Sequence, residues 1–309
     1  MNASAKTIFT TLMIVSTCCG CIQHIPPRVT VNPKHFSIQI PFQTDSKGIV
    51  IATYWGADKT EHKLYLDNHS PTWASSNIIR GNRSISKSKD FLYSTTTADG
   101  KVIAGEVYVC DNISIGQVNF INVPFYNISN ETNTGKTDGA IGENIMSEGI
   151  WKIDFKNHVI SFASSIDSIK GLQEAGQLPA VFTSNAIEIE VSFRNKIMEK
   201  FELDLGYNGS AILPVAEFEP IVAGNKKVYT AAKRFSTPAG AVTIDNTIAV
   251  DSIRIVHQPF IIAISTNKLF KEKLLGRNFF DQFEFIVIDY PGKAVYLSKK
   301  QLYDTPEMK

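Results

Sequence analysis

The sequence predicts an all-β chain of two homologous lobes, and three observations carry that prediction. Phe, Ile, Val, Tyr and Thr are frequent and long amphipathic helical patterns are few. An apolar run that ends on a carboxylate and then breaks into turn residues occurs twice: Leu64-Tyr65-Leu66-Asp67-Asn68-His69-Ser70 and Phe201-Glu202-Leu203-Asp204-Leu205-Gly206-Tyr207. Each reads as a strand delivering an Asp to a loop. Other landmarks recur at nearly the Asp67-to-Asp204 spacing. Gly142-Glu143-Asn144-Ile145-Met146 returns as Gly276-Arg277-Asn278-Phe279-Phe280, each glycine following a pair of apolar residues. Trp151-Lys152-Ile153-Asp154-Phe155 returns as Ile286-Val287-Ile288-Asp289-Tyr290. Three ordered landmarks at one offset indicate an internal duplication in which each lobe contributes one Asp.

The chain's 309 residues suffice for two domains with real cores. An apolar fraction of 43% and a charged fraction of 20% are those of an ordinary folded protein. The net charge of +1, with no basic block, argues against a nucleic-acid partner.

Residues 1–21 read as an export signal rather than as part of the fold. Lys6 precedes the short apolar run Ile8 to Val15, and then come Ser16-Thr17-Cys18-Cys19-Gly20-Cys21. The run is too short to span a membrane permanently. A plain cleaved signal, giving a periplasmic or secreted chain, is one reading. The cysteine cluster favours the other, since it resembles the lipobox of bacterial lipoproteins, in which a Cys becomes the lipidated first residue. That implies a membrane-anchored protein of a bacterial cell envelope. Both Cys18 and Cys21 are candidates for the lipid. Cys110 lies in a strand pattern and is expected to be buried and inert, with no disulfide framework.

Residues 22–38 are irregular, a tether or an edge strand. The first lobe, 39–163, opens at Ile40-Pro41-Phe42. Ile49 to Trp55, a turn at Gly56-Ala57-Asp58-Lys59 and His62 to Asp67 form a hairpin that ends in the first Asp loop. A second hairpin runs from Phe91 to Cys110 around Asp99-Gly100. Further strands follow at 113–115 and 118–125, then a polar stretch, 127–138, that reads as an exposed loop. The linker, 164–180, has a Ser165 cap and a short helix through Ala175, ended by Gly176. The second lobe, 181–300, opens with the alternation Ile187-Glu188-Ile189-Glu190-Val191-Ser192-Phe193, one face buried and one wet. It repeats the hairpin, the Asp204 loop and the Leu275-Gly276 landmark, and closes at Ala294 to Leu297. A polar tail occupies 301–309.

Two carboxylates, one from each lobe, are what a water-activating acid protease needs. Held within hydrogen-bond reach they cannot both ionise cheaply, so one acts as base toward a water and the other as acid toward the scissile carbonyl. At these residues the chain resembles the pepsin- and retropepsin-like aspartic proteases, in their two-lobed bacterial form. The resemblance covers nearly everything after residue 38. It rests on Ile40-Pro41-Phe42, the apolar-Asp stretches at 67 and 204, the apolar-apolar-Gly stretches at 142 and 276, the flap-like hairpin around Asp99-Gly100, and the closing Ile288 to Leu297. It implies an endopeptidase whose catalytic pair is Asp67 and Asp204, with the apolar-apolar-Gly strands bracing the Asp loops from beneath. No cofactor is implied.

The family motif is Asp-Thr/Ser-Gly, and this chain departs from it. Asn68 stands where a hydroxyl would reach across to the other lobe and can still hydrogen-bond; Leu205 cannot. Gly206 keeps the close backbone approach, whereas His69 adds a titratable ring beside the pair. A protonated His69 there favours both carboxylates ionised. These departures motivate a rival expectation: an inactive binding module holding peptides or envelope partners in the same cleft. Asp154 and Asp289 recur too, but at strand ends before turns, and are assigned to turn duty. The six histidines show no metal-ligand spacing, so no metal is expected. Gly206 to Ser210 is glycine-bearing but lacks the lysine of a phosphate loop. Tyr93 and Tyr108 flank the flap-like hairpin, where strand packing is their expected role.

Overall fold

A computed structural model describes residues 28–298 apart from 46–47, 58, 97–101, 129–136, 184–185, 195, 226, 238–239 and 257. The export signal with Cys18 and Cys21, the Asp99-Gly100 turn and the tail 301–309 therefore lie outside the described residues.

The first lobe is a strand-rich unit in which hydrophobic alternation decides what faces inward. It begins with β1 (Thr30–Asn32), β2 (Ser37–Pro41) and β3 (Gln43–Thr44), followed by the hairpin of β4 (Ile49–Trp55) and β5 (Thr60–Leu66). Thus part of the segment left open as tether or edge strand is edge strand. In β5 the fully buried Leu64 and Leu66 point to the core, which fixes the register that carries Asp67 off the strand end. Next come β6 (Trp73–Ser75), α1 (Ser76–Gly81), the hairpin of β7 (Ile85–Thr96) and β8 (Val102–Ile115), and β9 (Val118–Ile128). β10 (Gly139–Ile141), α2 (Glu143–Met146), β11 (Ile150–Asp154) and β12 (Val159–Ala163) complete the lobe.

The expected linker helix is absent. Residues 166–168 and 172–174 are two separate 3₁₀ turns, and β13 (Ala175–Leu178) and β14 (Ala180–Phe182) follow as strands. Gly176 lies inside β13, whose pairing with the chain's closing strand overrides the weak helical preference of Leu172 to Ala175.

The second lobe repeats the plan. Its elements are β15 (Ile187–Phe193), β16 (Met198–Asp204), β17 (Ala211–Leu213), α3 (Val215–Val222), β18 (Val228–Thr237), β19 (Gly240–Ile255), β20 (Gln258–Thr266), β21 (Leu274–Gly276), α4 (Arg277–Phe280), β22 (Phe285–Asp289) and β23 (Ala294–Ser298). The predicted alternation in β15 holds, with Ile187, Ile189, Val191 and Phe193 buried. The β18–β19 hairpin occupies the slot that β7–β8 occupies in the first lobe.

Two barrel-like sheets and one shared sheet result. The first runs β1-β9-β6-β10-β5-β4-β8-β7, and the second β14-β15-β16-β21-β17-β20-β19-β18, with extra pairings β9–β8 and β15–β19. The sheet between them runs β13-β23-β22-β11-β12-β2, drawing strands from both lobes. At its centre β11 lies antiparallel to β22, and Lys152 faces Val287. Those two residues are also repeat equivalents, so the pseudo-twofold axis passes through this one pair. Trp151, fully buried, stacks on Phe162 with ring centroids 4.2 Å apart and donates from Nε1 to the Met146 carbonyl at 2.8 Å. Asp154 and Asp289 do serve turns: each accepts a backbone N–H three residues on, from Asn157 and Gly292.

Candidate active site

In each lobe one short strand is threaded beside the Asp-bearing strand. β10 runs parallel to β5 and antiparallel to β6; β21 runs parallel to β16 and antiparallel to β17. Below each Asp loop a glycine closes the threaded strand, Gly142 just after β10 and Gly276 at the end of β21. A Cβ on Gly142 would meet the Ser70 carbonyl oxygen, and one on Gly276 the carbonyl oxygens of Tyr207 and Gly209. The same close approach is sealed by hydrogen bonds: Glu143 N–H to the Ser70 carbonyl and Arg277 N–H to the Tyr207 carbonyl, both 2.8 Å. Each Asp loop is thus seated on a glycine with no room for a side chain, and the two loops form two shelves.

The shelves bring Asp67 and Asp204 together. A Cβ on Gly206 would lie 2.6 Å from the Asp67 Cγ, so the second lobe's loop packs directly against the first lobe's carboxylate. Asp67 Oδ1 accepts the His69 N–H at 3.2 Å. Asp204, 8% exposed, accepts through Oδ1 from Gly206 N–H at 2.7 Å and Tyr207 N–H at 3.0 Å. Burial raises the pKa of Asp67, against the hydrogen bonds and the His69 charge that lower it. Burial and then the Asp67 charge push Asp204 up to about 7. Mutual repulsion in a desolvated pair means that the two titrate together and that one proton stays with them into the neutral range.

Asn68 supplies the cross-lobe lock. Its side-chain amide donates from Nδ2 to the Leu203 carbonyl at 2.7 Å and accepts the Leu205 N–H on Oδ1 at 2.8 Å. One primary amide has both the donor and the acceptor that this position needs. Leu205 makes no reciprocal polar contact; it is fully buried in the hydrophobic core.

His69 turns toward the second lobe. Its Nε2 lies 3.2 Å from Glu202 Oε2 and 3.7 Å from Glu272 Oε2. Nδ1 is buried with no hydrogen-bond partner. Burial alone would lower its pKa, but the Glu272, Asp204 and Glu202 carboxylates overcome burial and raise it to about 9. The ring is therefore an imidazolium at neutral pH, held by Glu202 and Glu272 as well as by the Asp pair.

Five further residues belong to this neighbourhood, and nothing in the sequence marks them as site residues. Glu202 and Glu272 look like solvent-facing strand and loop residues. Glu143, on α2, has its pKa raised by burial and lowered by His69. Tyr290 has a buried hydroxyl with no hydrogen-bond partner, and burial, with Glu143 and Asp67 nearby, strongly opposes its ionisation. Tyr207, after the second Asp, shares a 2.9 Å hydrogen bond with Ser265, and burial pushes it up to about 12. Tyr108 bonds Glu106 within its strand at 2.8 Å; the Tyr93 side chain lies outside the described residues. Among the described residues no group of three His, Cys, Asp or Glu is placed to hold a metal ion. Two surface hollows, one bordered by Tyr54, Lys59 and Asn119 and the other by His62, Asn77 and Arg83, lie on the first lobe and include neither Asp.

No family model matches the sequence, and no curated protein matches it. Among solved structures, the chain is similar to the crystal structure of aspartic proteinase from Irpex lacteus, with a TM-score of 0.60 at 14% identity, over 86% of this chain and 98% of that one. That likeness shows an aspartic-protease-like fold of two lobes.

Proposed function

We propose that the chain is an aspartic endopeptidase acting through Asp67 and Asp204. The observation that supports this most is the pairing of two carboxylates from symmetry-related loops, Asp67 packed against Gly206 and the buried Asp204 raised to about 7. With one proton on the pair, the ionised carboxylate takes a proton from water as the water oxygen attacks the scissile carbonyl carbon. The protonated partner gives its proton to the carbonyl oxygen. The resulting diol then collapses: one hydroxyl returns its proton to the pair as the carbonyl re-forms, the C–N bond breaks, and the leaving nitrogen takes a proton from the pair, which ends with the single proton it began with. The Gly206 and Tyr207 N–H groups hold the Asp204 carboxylate in orientation throughout. No cofactor is required by this scheme.

Activity is expected from acid to neutral pH and to fall as pH rises through about 7, where Asp204 loses the shared proton. The test is cleavage of a diverse peptide mixture across pH 4 to 9 beside Asp67→Asn and Asp204→Asn. Each substitution is expected to reduce the rate by at least ~10²–10⁴-fold, the usual worth of a positioned acid or base. A folded parent that binds peptides yet leaves them intact at every pH would instead favour the binding-module reading, which Leu205 motivates. We also propose export and anchoring in a bacterial envelope through lipid on Cys18 or Cys21. Palmitate labelling that survives both Cys18→Ser and Cys21→Ser would refute that anchor.

A further inference from the structure

We propose that His69, Glu202 and Glu272 form a cross-lobe ionic latch that replaces the half of the inter-lobe lock missing at Leu205. In a twofold-symmetric arrangement each Asp loop would send one polar side chain into the other lobe. Here the second lobe's contribution is apolar and buried. The two side-chain hydrogen bonds described between the Asp loops both come from Asn68 of the first lobe. Asn68 spans Leu203 and Leu205, and its neighbour His69 reaches Glu202, the residue before Leu203, and Glu272, just before β21. Asn68 and His69 thus grip three positions around Asp204, namely 202, 203 and 205, and tie in the approach to the threaded strand.

The partners are placed so that the charge matters. His69 is 20% exposed, Glu202 31% and Glu272 30%, so the cluster sits at a half-buried seam rather than in open solvent. The groups facing the ring are Asp67 on its own loop, Glu202 and Asp204 on β16, Glu272 before β21, and Glu143 on α2. All are acidic. The neighbouring cation, Lys273, is engaged elsewhere, with Glu199 at 2.9 Å and Glu217 at 3.0 Å. An imidazolium is therefore the positive charge that lets these carboxylates approach across the seam. The sign follows from the raised pKa of His69: its contribution to stability is complete below the unfolded value near 6.5 and is lost as pH rises through about 9. The latch concerns how the lobes are held, so it stands whether or not the Asp pair hydrolyses peptides.

The test uses the whole chain. His69 is titrated by NMR, and thermal midpoints are measured from pH 5 to 10 for the parent, His69→Gln, the Glu202→Gln/Glu272→Gln double variant and the combination of all three. In the parent, His69 is expected to titrate near 9, and in the double variant well below that. The alkaline fall in midpoint is expected to disappear in His69→Gln, and the triple variant to lose little beyond His69→Gln, as members of one network do. An ordinary His69 titration near 6.5 in the parent overturns the latch without any variant. Strictly additive effects of the histidine and glutamate substitutions overturn it as well.

Discussion

Replacing Asn68 by leucine isolates the hydrogen-bonded part of the lock. The two side chains are of similar size, so the change removes polarity rather than volume. Asn68 is 3% exposed, and its loss strands the Leu203 carbonyl and the Leu205 N–H in the lobe interface. A buried polar group left without a partner costs about 1–3 kcal/mol, so two such groups cost roughly 2–6 kcal/mol. The apolar leucine recovers part of this through burial, leaving a net loss of about 2–4 kcal/mol. For a chain above 150 residues each kcal/mol shifts the melting temperature by about 2–4 °C, which gives a fall of roughly 5–15 °C. Differential scanning calorimetry at pH 6 measures it, with peptide cleavage followed in parallel. Asn68→Thr, which restores a donor and an acceptor in one hydroxyl, is expected to lose far less. An Asn68→Leu protein that melts within about 2 °C of the parent, a change below ~1 kcal/mol, would refute the reasoning.

Asp204→Asn keeps an oxygen for the Gly206 and Tyr207 N–H groups but removes a carboxylate that folding must desolvate. Because the folded pKa of Asp204 is raised to about 7, its cost to stability grows as pH rises from about 4 to 7. The variant is expected to gain on the order of 2–4 kcal/mol over the parent at pH 8 and almost nothing at pH 3, by denaturant unfolding; equal stability at both pH values would sink the claim. Gly276→Ala forces a methyl group against the Tyr207 and Gly209 carbonyls, which are backbone and cannot swing away. It is expected to cost at least the ~1–3 kcal/mol of ordinary overpacking and to abolish cleavage; a stable, active Gly276→Ala would show that the threaded strand has slack.

Much of this architecture was legible because repetition is a signal that survives divergence. Gly142 and Gly276 occupy slots where a Cβ would meet backbone, and with Asp67 and Asp204 they recur at nearly one spacing, so they stand out in the sequence itself. The helix expected through residue 175 failed for a tertiary reason. Ala175 to Leu178 gains a partner, β23, that local preference cannot foresee. Glu202 sits in an alternating strand and Glu272 in a loop, both places that normally turn such residues to water; the arrival of His69 from a loop far away in sequence makes them part of a site. That Asn68 can bond was readable from its chemistry, but not that one amide would serve two groups of the other lobe.

The single residue pair on the pseudo-twofold axis has a consequence for how the halves can assemble. If two first lobes met through β11 in the same register, Lys152 would face Lys152, and like charges directly opposite are repelled. Lys152 would also lose the Phe285 ring beneath its ammonium, 3.9 Å from the centroid, because Ile150 holds that slot in the first lobe. Two second lobes would instead bring Val287 against Val287 without penalty. A duplicated ancestor could dimerise with copies of itself; in this chain one lysine on the axis favours the pairing of a first half with a second half over that of two first halves.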